Sequence, residues 1–182
     1  TVDGTGYGDD GVAWGGEVLL SNLKEYRRVG HLREVPLLGG EKAVYDVRRI
    51  AFALAEMTGN GPDYFKENER ELFRKMMPRS GTSTSFGRVL DGISGYLDIC
   101  QYRSYDGEPA MKLETLLERG KVLSGLDAER VGGTVMTVPM FQQLREMRGS
   151  REDLAVTFVA SALRSLVEAA VDEARSKGID AI

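Results

Sequence analysis

The hydrophobic period of this chain changes near residue 40, and that change restricts it to a mixed fold with most of its β structure at one end. Residues 1–38 read as β: Val12, Ala13 and Trp14, then Glu17, Val18, Leu19 and Leu20, flank a Gly-Gly pair, and residues 28–33 alternate roughly with period two. Gly8, Asp9, Asp10 and Gly11 supply residues that tolerate positive φ, as a tight hairpin needs. A three-stranded antiparallel meander is predicted. From residue 41 the period is helical. Helices are predicted over residues 41–57, 62–77 and 85–100, with a fourth opening at Pro109. Residues 135–138 read as a short strand before another short helix. The last helix, residues 150–177, repeats Leu154, Phe158, Ala162, Leu166, Ala170 and Ala174 every four positions and has Ser150 as its cap. The fold class is α+β, mostly helical, in one unit.

Composition narrows the function. The 182 residues are 42% apolar and 29% charged, an ordinary globular mix, and the net charge is -4 with no long basic run. Nucleic acid is therefore not expected as the main partner. No apolar stretch is read as a membrane span, and no signal peptide is read at the start. The single cysteine, Cys100, excludes an internal disulfide framework and fits a reducing cytoplasm; the single histidine, His31, excludes a site built on two histidines of this chain. The chain starts without methionine and ends on Ile179, Asp180, Ala181 and Ile182, read as the first residues of a buried strand. The expectation is an internal piece of a larger enzyme.

Five motifs carry possible chemistry. In Asp3, Gly4, Thr5, Gly6, Tyr7 and Gly8 the alternate glycines let a phosphate approach backbone N–H donors, and Thr5 adds a hydroxyl; the alternative is a plain glycine-rich turn. The next segment is a strand rather than a helix start, so this is not a dinucleotide fingerprint. Glu17, after the Gly15-Gly16 pair, reads as a solvated strand position, with ligand binding as the other reading. The pair Gly39-Gly40 ahead of a helix reads either as a loop or as an anion contact. On the third predicted helix Gly87, Asp91 and Gly95 fall four apart on one face. A ribose held by Asp91 fits that face, and so does a closely packed neighbouring helix with Asp91 paired to Arg88. Tyr105, Asp106, Gly107, Glu108 and Pro109 form a turn into the fourth helix, read either as backbone placed beside a nucleotide or as a connector. His31 reads as a strand residue and Cys100 as core.

Taken in order, Asp3-Gly-Thr-Gly-Tyr-Gly8, Trp14-Gly-Gly-Glu17, His31-Leu with Val35-Pro-Leu-Leu-Gly-Gly40, Thr84-Ser-Phe-Gly-Arg88 with Asp91, and Tyr105-Asp-Gly-Glu-Pro-Ala-Met111 resemble the carbamoyltransferase HypF family of nickel-iron hydrogenase maturation. The resemblance covers nearly the whole chain and points to that family's C-terminal module. That module is similar to the universal tRNA threonylcarbamoyl transferases, within the actin-like and sugar-kinase ATPase superfamily. It implies that the chain forms most of the second lobe: a phosphate-hairpin meander in residues 1–40, a helical insertion in 41–80 and a nucleotide-side region in 81–182. It implies use of carbamoyl phosphate and ATP, carbamoyl adenylate as intermediate, and transfer of the carbamoyl group to a C-terminal cysteine of the partner protein HypE, for a cyanide ligand. Asp3, Gly4, Thr5, Gly6 and Tyr7 would then meet phosphate, and Asp91, Gly107 and Glu108 the ribose side. The family's divalent metal would be held by residues outside this chain. Glu41 and Val159 depart from the family's usual aspartate and histidine. The alternative classes are a partner-docking module without nucleotide and a tRNA-modifying relative.

Overall fold

The computed structural model describes residues 1–22, 24–59 and 64–179. It opens with three strands, β1 (Val2–Tyr7), β2 (Ala13–Ser21) and β3 (Tyr26–Leu32). β1 and β2 pair antiparallel, as do β2 and β3. Four two-residue strands extend the sheet to seven: β4 (Val35–Pro36), β5 (Thr82–Ser83), β6 (Arg130–Val131) and β7 (Thr134–Val135). The order is β4-β5-β2-β3-β7-β6, with β1 also on β2. β5 joins β2 and β7 joins β3 in parallel. The sheet is thus larger and more mixed than the sequence predicts, because two residues carry no readable period.

The helices are α1 (Lys42–Tyr45), α2 (Arg48–Met57), α3 (Glu67–Met76), α4 (Phe86–Tyr96), α5 (Glu108–Leu117), α6 (Thr137–Glu146) and α7 (Arg151–Ser176). Four boundaries differ from expectation. The helix predicted over 41–57 breaks at Asp46, where Val47 donates its N–H to Gln101 O and Arg103 donates to Tyr45 O. A strand-like tie to residues 101–103 takes the bonds a continuous helix would have used. α3 starts at Glu67; the predicted start at Pro62 lies outside the described residues, as does most of the strand read at the C-terminus. α4 stops at Tyr96 because Asp98 takes φ 56°, turning the chain before Cys100. Thr137 and Val138, read as strand, begin α6.

The core lies between the sheet and α2, α4, α6 and α7. Phe52, Phe65 and Phe73 pack edge to face at centroid distances of 4.8–5.7 Å, and Phe141 meets Phe158 at 4.6 Å. α7 begins where its cap signal says: Ser150 Oγ accepts from Asp153 N–H at 3.1 Å. Its 26 residues, with mean hydropathy 1.6 over its most apolar stretch, meet the length and composition of a membrane span, contrary to the sequence reading. Ala155, Phe158, Ala162 and Leu166 are buried in the protein core, so its apolar composition is accounted for by one packed face.

Candidate functional site

Between the pairs Val2–Gly16 and Gly6–Trp14, β1 has four steps and β2 two, so Asp3, Gly4 and Thr5 bulge out of the ladder. The bulge lies on the N-terminal end of α4. Ser85, the α4 cap, donates its hydroxyl to Asp3 O at 3.0 Å and to Gly4 O. A Cβ on Gly87 would come within 2.8 Å of Gly4 Cα, so position 87 in the first turn of α4 must be glycine for the bulge to sit there. Asp3 is exposed and its carboxylate accepts from Gly4 N–H at 2.6 Å; Thr5 donates its hydroxyl to Gly4 O. Gly4 N–H is therefore already engaged. The side-chain positions of Gly4 and Gly6 have no atom closer than 3.8 Å, and Tyr7 is fully exposed.

Glu17 is not the solvated position expected of it. Its side chain is buried; Oε2 accepts from Gly15 and Gly16 N–H at 2.6 and 2.7 Å, and Oε1 from Arg28 at 3.1 Å and from the Thr84 hydroxyl. Arg28 also reaches Asp10 at 2.8 Å and lies over the Trp14 ring at 4.5 Å. This network ties β2, β3, the hairpin turn and the segment entering α4. The sequence showed the Gly-Gly-Glu element but not its partners, because Arg28 and Thr84 are distant in the chain.

Asp91 sits on the middle of α4, only 3% exposed, with its Oδ2 2.9 Å from Arg88 Nη2. Burial pushes its carboxyl up to about 6, against the opposing pull of Arg88 and Arg103. The glycine strip beside it is filled by protein rather than open: Gly87 abuts β1, Gly92 faces Leu54 and Ile50, and Gly95 faces Val47 and Ala51 of α2. Asp91 Oδ2 has only the ion pair to Arg88, out of line for a hydrogen bond, and Arg88 Nε, also buried, has no hydrogen-bond partner among the described residues.

Residues 100–108 approach Asp91 from the side. Arg103 pairs with Asp106, and both act on the Asp91 carboxyl. Gly107 takes φ 77° at the start of α5, a conformation natural to glycine. Glu108 is buried and locked: it accepts from Ser104 N–H at 2.6 Å, Ser104 Oγ at 2.7 Å and Lys112 Nζ at 2.7 Å. The Lys112 bond, then those from Ser104, hold its carboxyl down at about 2. Cys100 is buried, its thiol pushed up by burial, with Lys112 Nζ 4.0 Å away. His31 lies on β3, its Nδ1 2.8 Å from Leu32 O.

The structure therefore collects the expected residues in two groups on one helix. Asp3 and Gly4 meet the start of α4, with Thr5 beside them in the bulge; Asp91 meets the segment leading to Gly107 and Glu108. Gly6 and Tyr7 lie on β1 beyond the bulge, and neither is shown touching α4. Sequence reasoning missed Ser85, Arg103 and Lys112. Only Ser85 left a signal, as a cap before an apolar run. Among the described residues no three His, Cys, Asp or Glu side chains are grouped to hold a metal ion, so no metal chemistry is derived from this chain.

The chain is 37% identical over 190 residues to the carbamoyltransferase HypF of Rhodobacter capsulatus, covering 95% of this chain and 25% of that protein. It is 34% identical to the probable carbamoyltransferase HypF of Methanocaldococcus jannaschii, covering 84% of this chain and 21% of that one. It thus spans about a quarter of the length of these relatives. The structure of T. kodakarensis HypF superposes with TM-score 0.83 at 28% identity, covering 98% of this chain and 26% of that one. Full-length HypF in its phosphate- and nucleotide-bound form shares the fold, with TM-score 0.84 at 22% identity over 98% of this chain and 30% of that one. The family described as carbamoyltransferase, Kae1-like domain, second subdomain, matches residues 1–182, and the chain belongs to it.

Proposed function

We propose that this chain is the nucleotide-side part of an ATP-dependent carbamoyltransferase, within the second lobe of an actin-like module. The observation that carries the reading is the arrangement around α4: the glycine bulge of β1 rests on its N-terminal end, and a buried carboxylate, Asp91, whose Oδ2 has only the ion pair to Arg88, sits at its middle. A nucleotide laid along such a helix would place phosphate at the bulge, where the helix end is positive and where Gly4 N–H and the Thr5 hydroxyl would exchange their bonds to Asp3 Oδ1 and Gly4 O for bonds to phosphate. Its ribose hydroxyls would donate to Asp91, with Gly107 leaving the approach clear and Glu108 holding the adjoining turn. A HypF solved with phosphate and nucleotide shares this fold, and supports the reading through the family.

By family, the substrates are ATP and carbamoyl phosphate, the intermediate is carbamoyl adenylate, and the acceptor is the C-terminal cysteine of HypE, for cyanide ligand synthesis in the cytoplasm. The chain's own groups bind and orient the adenylate; the divalent metal belongs to residues outside this chain. Within it, residues 1–40 form the phosphate side, 41–80 an insertion and 81–182 the ribose side. The test is ATP titration of the full-length protein carrying Gly4→Val or Gly6→Val. A Cβ at either position meets nothing closer than 3.8 Å, so the variants are expected to fold, and ATP binding falls about tenfold as the side chain blocks the backbone. Unchanged ATP affinity in both would overturn the assignment.

A further inference from the structure

We propose that Arg88 is a positioning residue that holds the Asp91 carboxylate charged and fixed so that it can accept from a nucleotide ribose; this rests on the nucleotide reading above. Arg88 is 8% exposed and Asp91 3%, and they are one turn apart on α4. A buried ion pair of this kind is stable only if further hydrogen bonds satisfy both charges. Here they do not: Asp91 Oδ2 has only the 2.9 Å contact with Arg88 Nη2, out of line for a hydrogen bond, and Arg88 Nε is buried with no hydrogen-bond partner among the described residues. Unused polar capacity on adjacent buried groups suits a ligand that donates to the carboxylate, as a vicinal diol does.

The side chains around Asp91 make Arg88 the decisive counter-charge. Arg88 comes from α4 itself; Arg103 and Asp106 come from the segment between α4 and α5, and Cys100 lies beside them. Arg103 is paired to Asp106, which spends much of its charge there. Burial works to keep Asp91 protonated, and Arg88 is the largest opposing influence. Without Arg88 the carboxyl stays protonated to higher pH and loses acceptor capacity near neutrality. Ribose binding would then be weak at neutral pH and return at alkaline pH.

The experiment measures ATP and 2′,3′-dideoxy-ATP affinity by calorimetry across pH 6 to 9, for the full-length wild-type protein, Asp91→Asn, Arg88→Met, Arg88→Lys and the double variant Arg88→Met/Asp91→Asn. In the wild type, ATP binds better than the dideoxy analogue. Arg88→Met loses about tenfold of its ATP affinity at neutral pH, regains it toward the alkaline end of the range, and distinguishes the two nucleotides only there. Arg88→Lys restores most of the neutral-pH affinity. If wild type binds both nucleotides equally and Asp91→Asn changes nothing, the ribose reading itself fails. If Asp91→Asn weakens ATP but Arg88→Met keeps the wild-type affinity and pH profile, the positioning role alone is overturned. Should Arg88→Met not fold, the double variant decides: it must bind ATP as Asp91→Asn does, and any further loss counts against positioning.

Discussion

At the scale of single residues, the site is framed by two buried carboxylates with opposite surroundings. Asp91 has too few donors, and burial raises its carboxyl; Glu108 has three, and they lower it. A lowered folded-state value means that ionised Glu108 stabilises the fold above its ordinary value of 4.5, and that this is lost as pH falls toward about 2. Glu108→Gln should therefore lower the melting temperature at pH 7 and flatten its fall between pH 5 and 2; thermal melts across that range check it. Glu17 makes a different case. Its four donors include Gly15 N–H, Gly16 N–H and the Thr84 hydroxyl, and removing the acceptor strands them. Glu17→Ala should cost about 3 kcal/mol in urea unfolding, far more than an exposed glutamate would. A loss below about 1 kcal/mol would contradict the network's role.

Among the elements, α4 joins the two halves of the site, and its glycines serve packing as much as any ligand. Gly87→Ala would press a methyl against Gly4 Cα, a backbone atom that cannot swing aside. The bulge must move, so ATP binding by the full-length protein should fall at least about fivefold with a stability loss of only about 1 kcal/mol. Calorimetry beside urea unfolding checks both, and intact affinity would mean that the bulge is free of α4. Elements that state their pattern locally were legible. α7 declares itself through a four-residue apolar repeat and its Ser150 cap, and the turn at Gly107 through Gly-Glu-Pro. The break at Asp46 was not, since its bonds go to Gln101 and Tyr102, more than fifty residues onward. Two-residue strands such as β5 exist only because β2 and β4 flank them. In the site, Asp91 and its pairing with Arg88 were readable from helical spacing, whereas Glu17's burial depended on Arg28 arriving from β3.

Over the whole molecule, the phosphate side proposed for the nucleotide is open to solvent. Around the bulge Asp3 and Thr5 are exposed and Gly4 is half-buried, and Tyr7 extends from β1 with none of its side chain covered. A phosphate resting there keeps water on its outer side, so each hydrogen bond competes with solvation at high dielectric, where charge interactions at contact distance are worth only about 1 kcal/mol. No grouped metal ligands among the described residues add counter-charge. The chain spans about a quarter of the HypF relatives it matches, and in those longer proteins further residues are available to face the same nucleotide. The 182-residue chain by itself should therefore bind ATP at least about a hundredfold more weakly than the full-length protein, a difference of about 2.7 kcal/mol. It should also show no carbamoyl-phosphate-driven exchange of pyrophosphate into ATP. Among the described residues β1 pairs only with β2, and Val2 and Tyr7 on it are exposed, so the isolated chain should self-associate as its concentration rises. Calorimetry, exchange assays and sedimentation on the two proteins side by side decide the matter. Exchange by the 182-residue chain within tenfold of the full-length rate would show that one wall of the site suffices, and the α4 surface would then have to supply the transition-state stabilisation that this reading assigns to groups beyond it.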